Sequence, residues 1–177
     1  MKDVGQCVYK PFLDEHLESV FEIYRVAFPS EDLTPLVHAL SGCTDAQSFI
    51  AESQDGIVGH IAFTECRLEN SSSIVGLLGP LAVDPKFQRG GIGGGLIRTG
   101  FGAMRDRGCA VILVLGDPAY YGRFGFTQER AIKPPYELRA EWAAAWQSLW
   151  FADNAQDFAD TLVVPEPWRS ASLWRWV

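Results

Sequence analysis

Apolar residues after Leu13 recur at Leu17, Val20, Phe21, Tyr24, Val26, Ala27 and Phe28. That spacing predicts an amphipathic helix over Leu13–Phe28, and Pro29 stops it. Val8–Phe12 ahead of it reads as a short strand, and Leu33–Leu40 as a second short helix behind the cap-like Asp32. The period then changes. Ser48–Ser53 and Ile57–Leu68 are β-rich and meet at Gln54-Asp55-Gly56, a tight hairpin signal. Asn70–Ser72 is the next turn, and Ser73–Val83 is a third β-rich run that contains Gly79-Pro80. Gly90–Arg107 returns to a helical stripe through Ile92, Leu96, Ile97, Phe101 and Met104, with Gly108 where a C-cap glycine belongs. Val111–Leu115 is a continuous aliphatic run, as in a strand buried on both faces. Ala119–Phe124 reads as a short helix or turn, and Phe126 opens another strand. Glu137–Trp150 has the Ala, Glu and Leu content of a helix. Ala145–Phe151 reads equally as a strand, paired with Asp160–Val164, and composition leaves both open.

This order predicts an α+β fold: a mixed, mostly antiparallel sheet flanked by helices, with a central β-α-β unit. At 177 residues and 47% hydrophobic the chain is expected to form a single soluble domain over 1–177, with its core in 5–166 and a Trp-rich end at 167–177. No apolar run reaches the roughly 20 residues of a membrane span, and Met1–Lys10 has no apolar signal segment. A cytoplasmic location is expected. Cys7, Cys43, Cys66 and Cys109 form no CxxC pair and have no His at ligand spacing, so neither a metal site nor a redox motif is expected.

The net charge of −7 is unevenly spread: −9 over residues 1–85, +5 over 86–133 and −3 over 134–177. The acidic total disfavours nucleic-acid binding. A basic segment inside an acidic chain marks either a solvated helix face or a local anion site. The residues within it favour the anion site. In Val83-Asp84-Pro85-Lys86-Phe87-Gln88-Arg89-Gly90-Gly91-Ile92-Gly93-Gly94-Gly95 a strand runs into a glycine-rich turn that opens a helix. The first N–H groups of a helix lack intrahelical acceptors, and the helix dipole adds positive potential there. Glycines allow positive φ and close approach, and together these features cradle an anion. No Lys stands where a Walker A loop needs one, and Leu96 occupies the place of the third glycine of a dinucleotide fingerprint. Glycines at 93, 94, 95, 100 and 102 each cost the helix up to about 1 kcal/mol, which close approach of a ligand would explain.

Gln88-Arg-Gly-Gly91-Ile-Gly93 matches the Q/R-x-x-G-x-G/A signature of the GNAT superfamily of N-acetyltransferases, and Tyr121-Gly-Arg-Phe-Gly125-Phe126 resembles that family's Y-x-x-x-G-F. The whole run Leu78–Phe126 is similar to bacterial acetyltransferases of the YhbS type. The resemblance is strong over about 50 residues and weak over most of the rest. It implies a β-hairpin after the G-F motif, which selects the strand over the helix at Ala145–Phe151. The chain departs from the family in Lys133–Trp142, in its Trp-rich end, and at Gly116-Asp117-Pro118, where an Asn is often found.

By this resemblance the chain is expected to be an N-acetyltransferase with acetyl-CoA as co-substrate and no metal. Gln88, Arg89, Gly90, Gly91, Ile92, Gly93 and Gly94 would hold the pyrophosphate. Lys86, Arg89, Arg98 and Arg123 would screen its charge. Leu81, Ala82 and Val83 would lie along the pantetheine arm, with Gly79-Pro80 forming a bulge that opens a slot for it. Tyr121 matches the general acid that protonates the leaving thiolate. Ser73–Val83 holds no acidic residue to act as base, which leaves His60 and Glu65 on the preceding strand. They differ by five positions and so face opposite sides of a regular strand. The alternative is a non-catalytic acyl-CoA-binding sensor on the same fold. The acceptor is expected to be a small-molecule or peptidyl amine, cationic before binding. Glu22, Glu31, Asp32 and Asp153 are the candidates for an acidic wall. Trp168, Trp174 and Trp176 are candidates for a homodimer or partner contact.

Overall fold

In a computed structural model that describes residues 7–151 and 159–175, the chain packs as two compact units. Each is assembled from two separate stretches. One unit runs up to Thr64 and resumes over Gly79–Ala103; the other combines Glu65–Leu78 with the chain from Met104 onward.

The first unit contains strand β1 (Val8–Pro11), helices α1 (Leu17–Ala27) and α2 (Thr34–Ser41), strand β2 (Ala46–Ser53) and most of β3 (Gly56–Leu68). The later part of β4 (Ser71–Val83) and most of helix α3 (Ile92–Asp106) complete it. β1 and β2 pair antiparallel with Val8 opposite Glu52, and β2 and β3 form the expected hairpin with Ala46 opposite Thr64. The helix expected from Leu13 begins four residues later. His16 Nδ1 accepts the Leu13 N–H at 2.9 Å and closes a short 3-10 turn over Asp14–His16. Leu33 is the N-cap of α2, and Asp32 stands one residue ahead of it, its Oδ1 accepting the Thr34 N–H at 3.0 Å. Val20, Ile23 and Tyr24 of α1 pack with Val37, Ile50 and Ala82 in one core cluster.

Two of the helix glycines have an internal explanation. A Cβ on Gly95 would lie 2.5 Å from Cε1 of Tyr9 and nearer still to the phenol oxygen. A Cβ on Gly100 would lie 2.5 Å from Cδ2 of Phe63 and nearer still to the ring edge. These glycines let rings from β1 and β3 press onto α3, so the reading that ligand approach explains them is corrected. Gly102 faces open space.

In the second unit β4 pairs in parallel with β5 (Val111–Leu115), with Val75, Gly76 and Leu77 opposite Val111, Ile112 and Leu113. Strand β8 (Trp146–Trp150) runs antiparallel to β5 along its whole length. The strand expected at Ala145–Phe151 therefore forms. Pairing along the apolar β5 outweighs the local Ala and Glu content, and helix character is confined to a 3-10 segment at Ala140–Ala145. β6 (Thr127–Gln128) extends β8, while β9 (Asp160–Val163) pairs with the end of β3 and, in parallel, with β7 (Ile132–Lys133), so the hairpin expected between Ala145–Phe151 and Asp160–Val164 does not form. The short helix α4 (Pro118–Tyr121) follows β5.

The tryptophans expected to face a partner are core residues. Trp174 is 3% exposed, and Trp168 and Trp146 are buried beside it. Trp174 Nε1 donates to the Trp168 carbonyl at 3.0 Å, and Trp146 Nε1 donates to the Ile132 carbonyl at 2.7 Å. Trp176 and Asp153 lie outside the described residues. Among the described residues no helix is long and apolar enough to cross a membrane. No group of three His, Cys, Asp or Glu among them could hold a metal ion.

Candidate active site

The glycine turn is built from the end of β4. Asp84 anchors it twice: its N–H donates to the Val58 carbonyl at 2.9 Å, and its Oδ1 accepts the Lys86 N–H at 2.9 Å. Phe87 is buried and pins the turn to the unit's core. Gln88 Nε2 donates back to the Val83 carbonyl at 3.0 Å, so this side chain ties the loop to its own strand. The backbone then takes two left-handed steps, Arg89 at φ +63° and Gly91 at φ +83°. Helix α3 starts immediately after, with its first ladder bond from Gly95 N–H to the Gly91 carbonyl at 3.0 Å.

This geometry assigns Gly91 a conformational role. A Cβ there would meet nothing within 4 Å, so the requirement is positive φ and not space. Lys86, Arg89 and Arg98 are exposed around the turn, while Gly93 and Gly94 are buried in the first helical turn. An acidic phosphate group fits this arrangement: unpartnered donors at a helix start, left-handed glycine backbone, and cationic side chains free to reach it. Leu81, Ala82 and Val83 form the strand end that leads in. The Gly79–Pro80 peptide is cis, with Gly79 at φ +144°.

The candidate acid sits in the second unit. Asp117 Oδ1 accepts the Ala119 N–H at 2.8 Å and starts α4, which ends at Tyr121. The Tyr121 ring is edge-on to Tyr120 at 5.0 Å and to Phe126 at 5.7 Å between centroids. Its Cε2 edge lies against Gly116, where a Cβ would lie 2.9 Å from Cδ2 and closer still to Cε2. Burial lifts the Tyr121 phenol well above the usual tyrosine range, and the neighbouring Tyr120 and Asp117 add to the effect. Arg123 lies over the Tyr120 ring at 4.6 Å, and its Nε donates to the Tyr120 carbonyl at 3.2 Å.

Both base candidates are engaged by other residues of the chain. His60 is 1% exposed. Its Nδ1 shares a 2.9 Å hydrogen bond with the Tyr24 hydroxyl, and the rings of Phe12 and Tyr24 meet it edge-on. Burial pushes its pKa down to about 3, so the ring has little affinity for a proton from an ammonium. Glu65 is ion-paired with Arg107. The residues that sequence reasoning missed are Gly116 and Gln147. Gln147 Nε2 donates to the Gly116 carbonyl at 3.0 Å, and the Gly116 N–H donates to the Ala145 carbonyl at 2.9 Å. The signal was a glutamine inside an otherwise buried strand.

Known proteins resemble the chain in both sequence and fold. The model of the acetyltransferase (GNAT) family matches residues 17–126. The uncharacterized N-acetyltransferase YjhQ of Escherichia coli K12 is 40% identical over 111 residues, 59% of this chain and 61% of YjhQ. The uncharacterized N-acetyltransferase YhbS of the same strain is 29% identical over 146 residues, 80% of this chain and 85% of YhbS. The crystal structure of E. coli YhbS in complex with CoA superposes with a TM-score of 0.82 over 94% of each chain, at 22% identity. A GNAT family acetyltransferase from Brucella melitensis in complex with acetyl-CoA superposes with a TM-score of 0.73 at 26% identity, over 92% of this chain and 97% of that one. The mixed, mostly antiparallel sheet flanked by helices is common to them, and this chain belongs to the acetyltransferase (GNAT) family.

Proposed function

We propose that the protein moves an acetyl group from acetyl-CoA directly to a primary amine. The observation that carries this reading is the left-handed turn at Arg89–Gly91 opening onto α3. CoA and acetyl-CoA in the two related structures support the choice of co-substrate. Acetyl-CoA supplies an activated thioester. The backbone N–H groups of Arg89–Gly94 hold its pyrophosphate, Lys86 and Arg98 screen the charge, and Leu81–Val83 offer backbone groups to the arm. Tyr121 keeps its phenol proton until the thiolate leaves and then gives it up. With His60 and Glu65 otherwise engaged, the incoming ammonium loses its proton to water before attack.

The acceptor is cationic before binding. Of the acidic candidates, Glu22 is ion-paired with Arg25. Glu31 and Asp32 are exposed, and the hydrogen bonds from Thr34 hold the Asp32 carboxyl below the usual range, so it stays charged. A CoA thiol-release assay over polyamines, lysine-like amines, aminoglycosides and acidic amino acids tests this at two salt concentrations. Turnover of the cations, with an advantage that shrinks as salt rises, is expected. The engagement of both base candidates by other residues favours a second reading, an acyl-CoA sensor. Calorimetric binding of acetyl-CoA with no thiol release from any amine would select it.

Gly91→Val disfavours positive φ by roughly 1–2 kcal/mol, and the exposed turn escapes that cost by leaving the left-handed conformation. Acetyl-CoA binding is therefore expected to weaken about tenfold in calorimetric titration, with little change in Tm. Gly102→Ala, in open space, is expected to leave affinity unchanged and to raise stability by up to about 1 kcal/mol. Equal affinity in both variants would remove the turn from the binding site.

A further inference from the structure

We infer that Gly116, clamped by Gln147, is a positioning residue that sets where the Tyr121 phenol sits. The inference rests on the reading of Tyr121 as the acid. Gly116 directly follows β5, and the Cε2 edge of the Tyr121 ring lies against it, within the space any Cβ would take. The peptide groups on both sides of Gly116 are fixed from the start of β8 and the residue before it: its N–H is held by the Ala145 carbonyl and its carbonyl by Gln147 Nε2. Gln147 is itself 2% exposed and also donates to the Ala145 carbonyl at 3.3 Å, so the clamp is part of the sheet. Asp117 begins α4 one residue later, which leaves the ring little slack between the clamp and the helix cap. Phe126 closes the ring's edge. The surroundings of Tyr121 thus define one ring position, and the glycine is the element that no other residue can replace.

Any Cβ at residue 116 must push the ring off its seat, and displacing an acid by about 1 Å costs up to about a hundredfold in rate. Gly116→Ala is therefore expected to lower kcat about tenfold or more while the KM for acetyl-CoA stays near wild type. Gly122→Ala, where a Cβ meets nothing within 4 Å, is the local control and is expected to keep wild-type kcat. The decisive readout is the double variant: in a Tyr121→Phe background, Gly116→Ala is expected to cost nothing further. An equal loss in both backgrounds, or a raised KM with unchanged kcat, overturns the inference while leaving Tyr121 as the acid. Wild-type kcat in Tyr121→Phe alone overturns that reading and this inference with it. A measurement on the unaltered protein guards against a Gly116→Ala chain that does not fold. The Gly116 Hα resonances are expected to move in Tyr121→Leu, which removes the ring current of the seated ring. Identical resonances in the two proteins overturn the inference.

Discussion

Tyr121→Phe is expected to lower kcat about a hundredfold, with acetyl-CoA affinity nearly unchanged. The substitution keeps the ring and its contacts with Gly116, Tyr120 and Phe126 and removes only the proton. General acid catalysis typically contributes about 10²–10⁴-fold, and the lower end applies here. Burial raises the phenol above its ordinary value near 10, so transfer to a thiolate of pKa near 8.5 or above runs uphill. The same shift has a compensating effect. The donor stays protonated through neutral and mildly alkaline pH. The pH profile of kcat should accordingly show no alkaline limb from this group below about pH 10. Tyr120→Phe is expected to cost much less, because Tyr120 is occupied with Arg123. Steady-state kinetics at saturating acetyl-CoA decide it: equal losses in the two variants would end the assignment.

The second large effect is on stability. Below about pH 6.5 the unfolded chain binds a proton at His60 and the folded chain does not, because the buried ring titrates only at about 3. A depressed folded pKa means that stability is present above the unfolded value and lost as pH falls toward the folded one. The slope is roughly 1.4 kcal/mol per pH unit, so the step from pH 6.5 to 5 should cost about 2 kcal/mol. Urea titrations followed by circular dichroism are expected to show that loss. His60→Gln, which cannot titrate, should be less stable at pH 7 and should flatten the slope across the same window. A slope unchanged by the substitution would place the acid sensitivity elsewhere.

What the residues alone disclosed, and what they did not, follows from the range of the interactions. The hairpin at Gln54–Gly56, the crossover helix and the aliphatic β5 are encoded by neighbours a few positions apart, and they form where periodicity puts them. The glycine turn was legible because left-handed backbone demands glycine close to a helix start. The purpose of Gly95 and Gly100 was not legible. Their partners, Tyr9 and Phe63, come from strands far away in sequence, and nothing local distinguishes a glycine kept for a ring from one kept for a ligand. The setting of His60 was not legible for the same reason: its hydrogen-bond partner Tyr24 is 36 residues away. The strand at Trp146–Trp150 needed the family pattern, because its pairing with β5 overrides local preference. Solvent-exposed tryptophans and core tryptophans look alike in a sequence; only Trp174 meeting Trp146 and Trp168 separates them.

All six tryptophans lie at or beyond Trp142, and those among the described residues belong to the second of the two units. Intrinsic fluorescence excited at the red edge is thus blind to the first unit, which carries the glycine turn and His60. Circular dichroism, by contrast, registers α1, α2 and most of α3 there. The molecule carries its own two-channel optical probe: coincident fluorescence and dichroism transitions would mean that the units melt together. Separation of the two curves on acidification would assign the early loss to the His60 side, without any label or substitution.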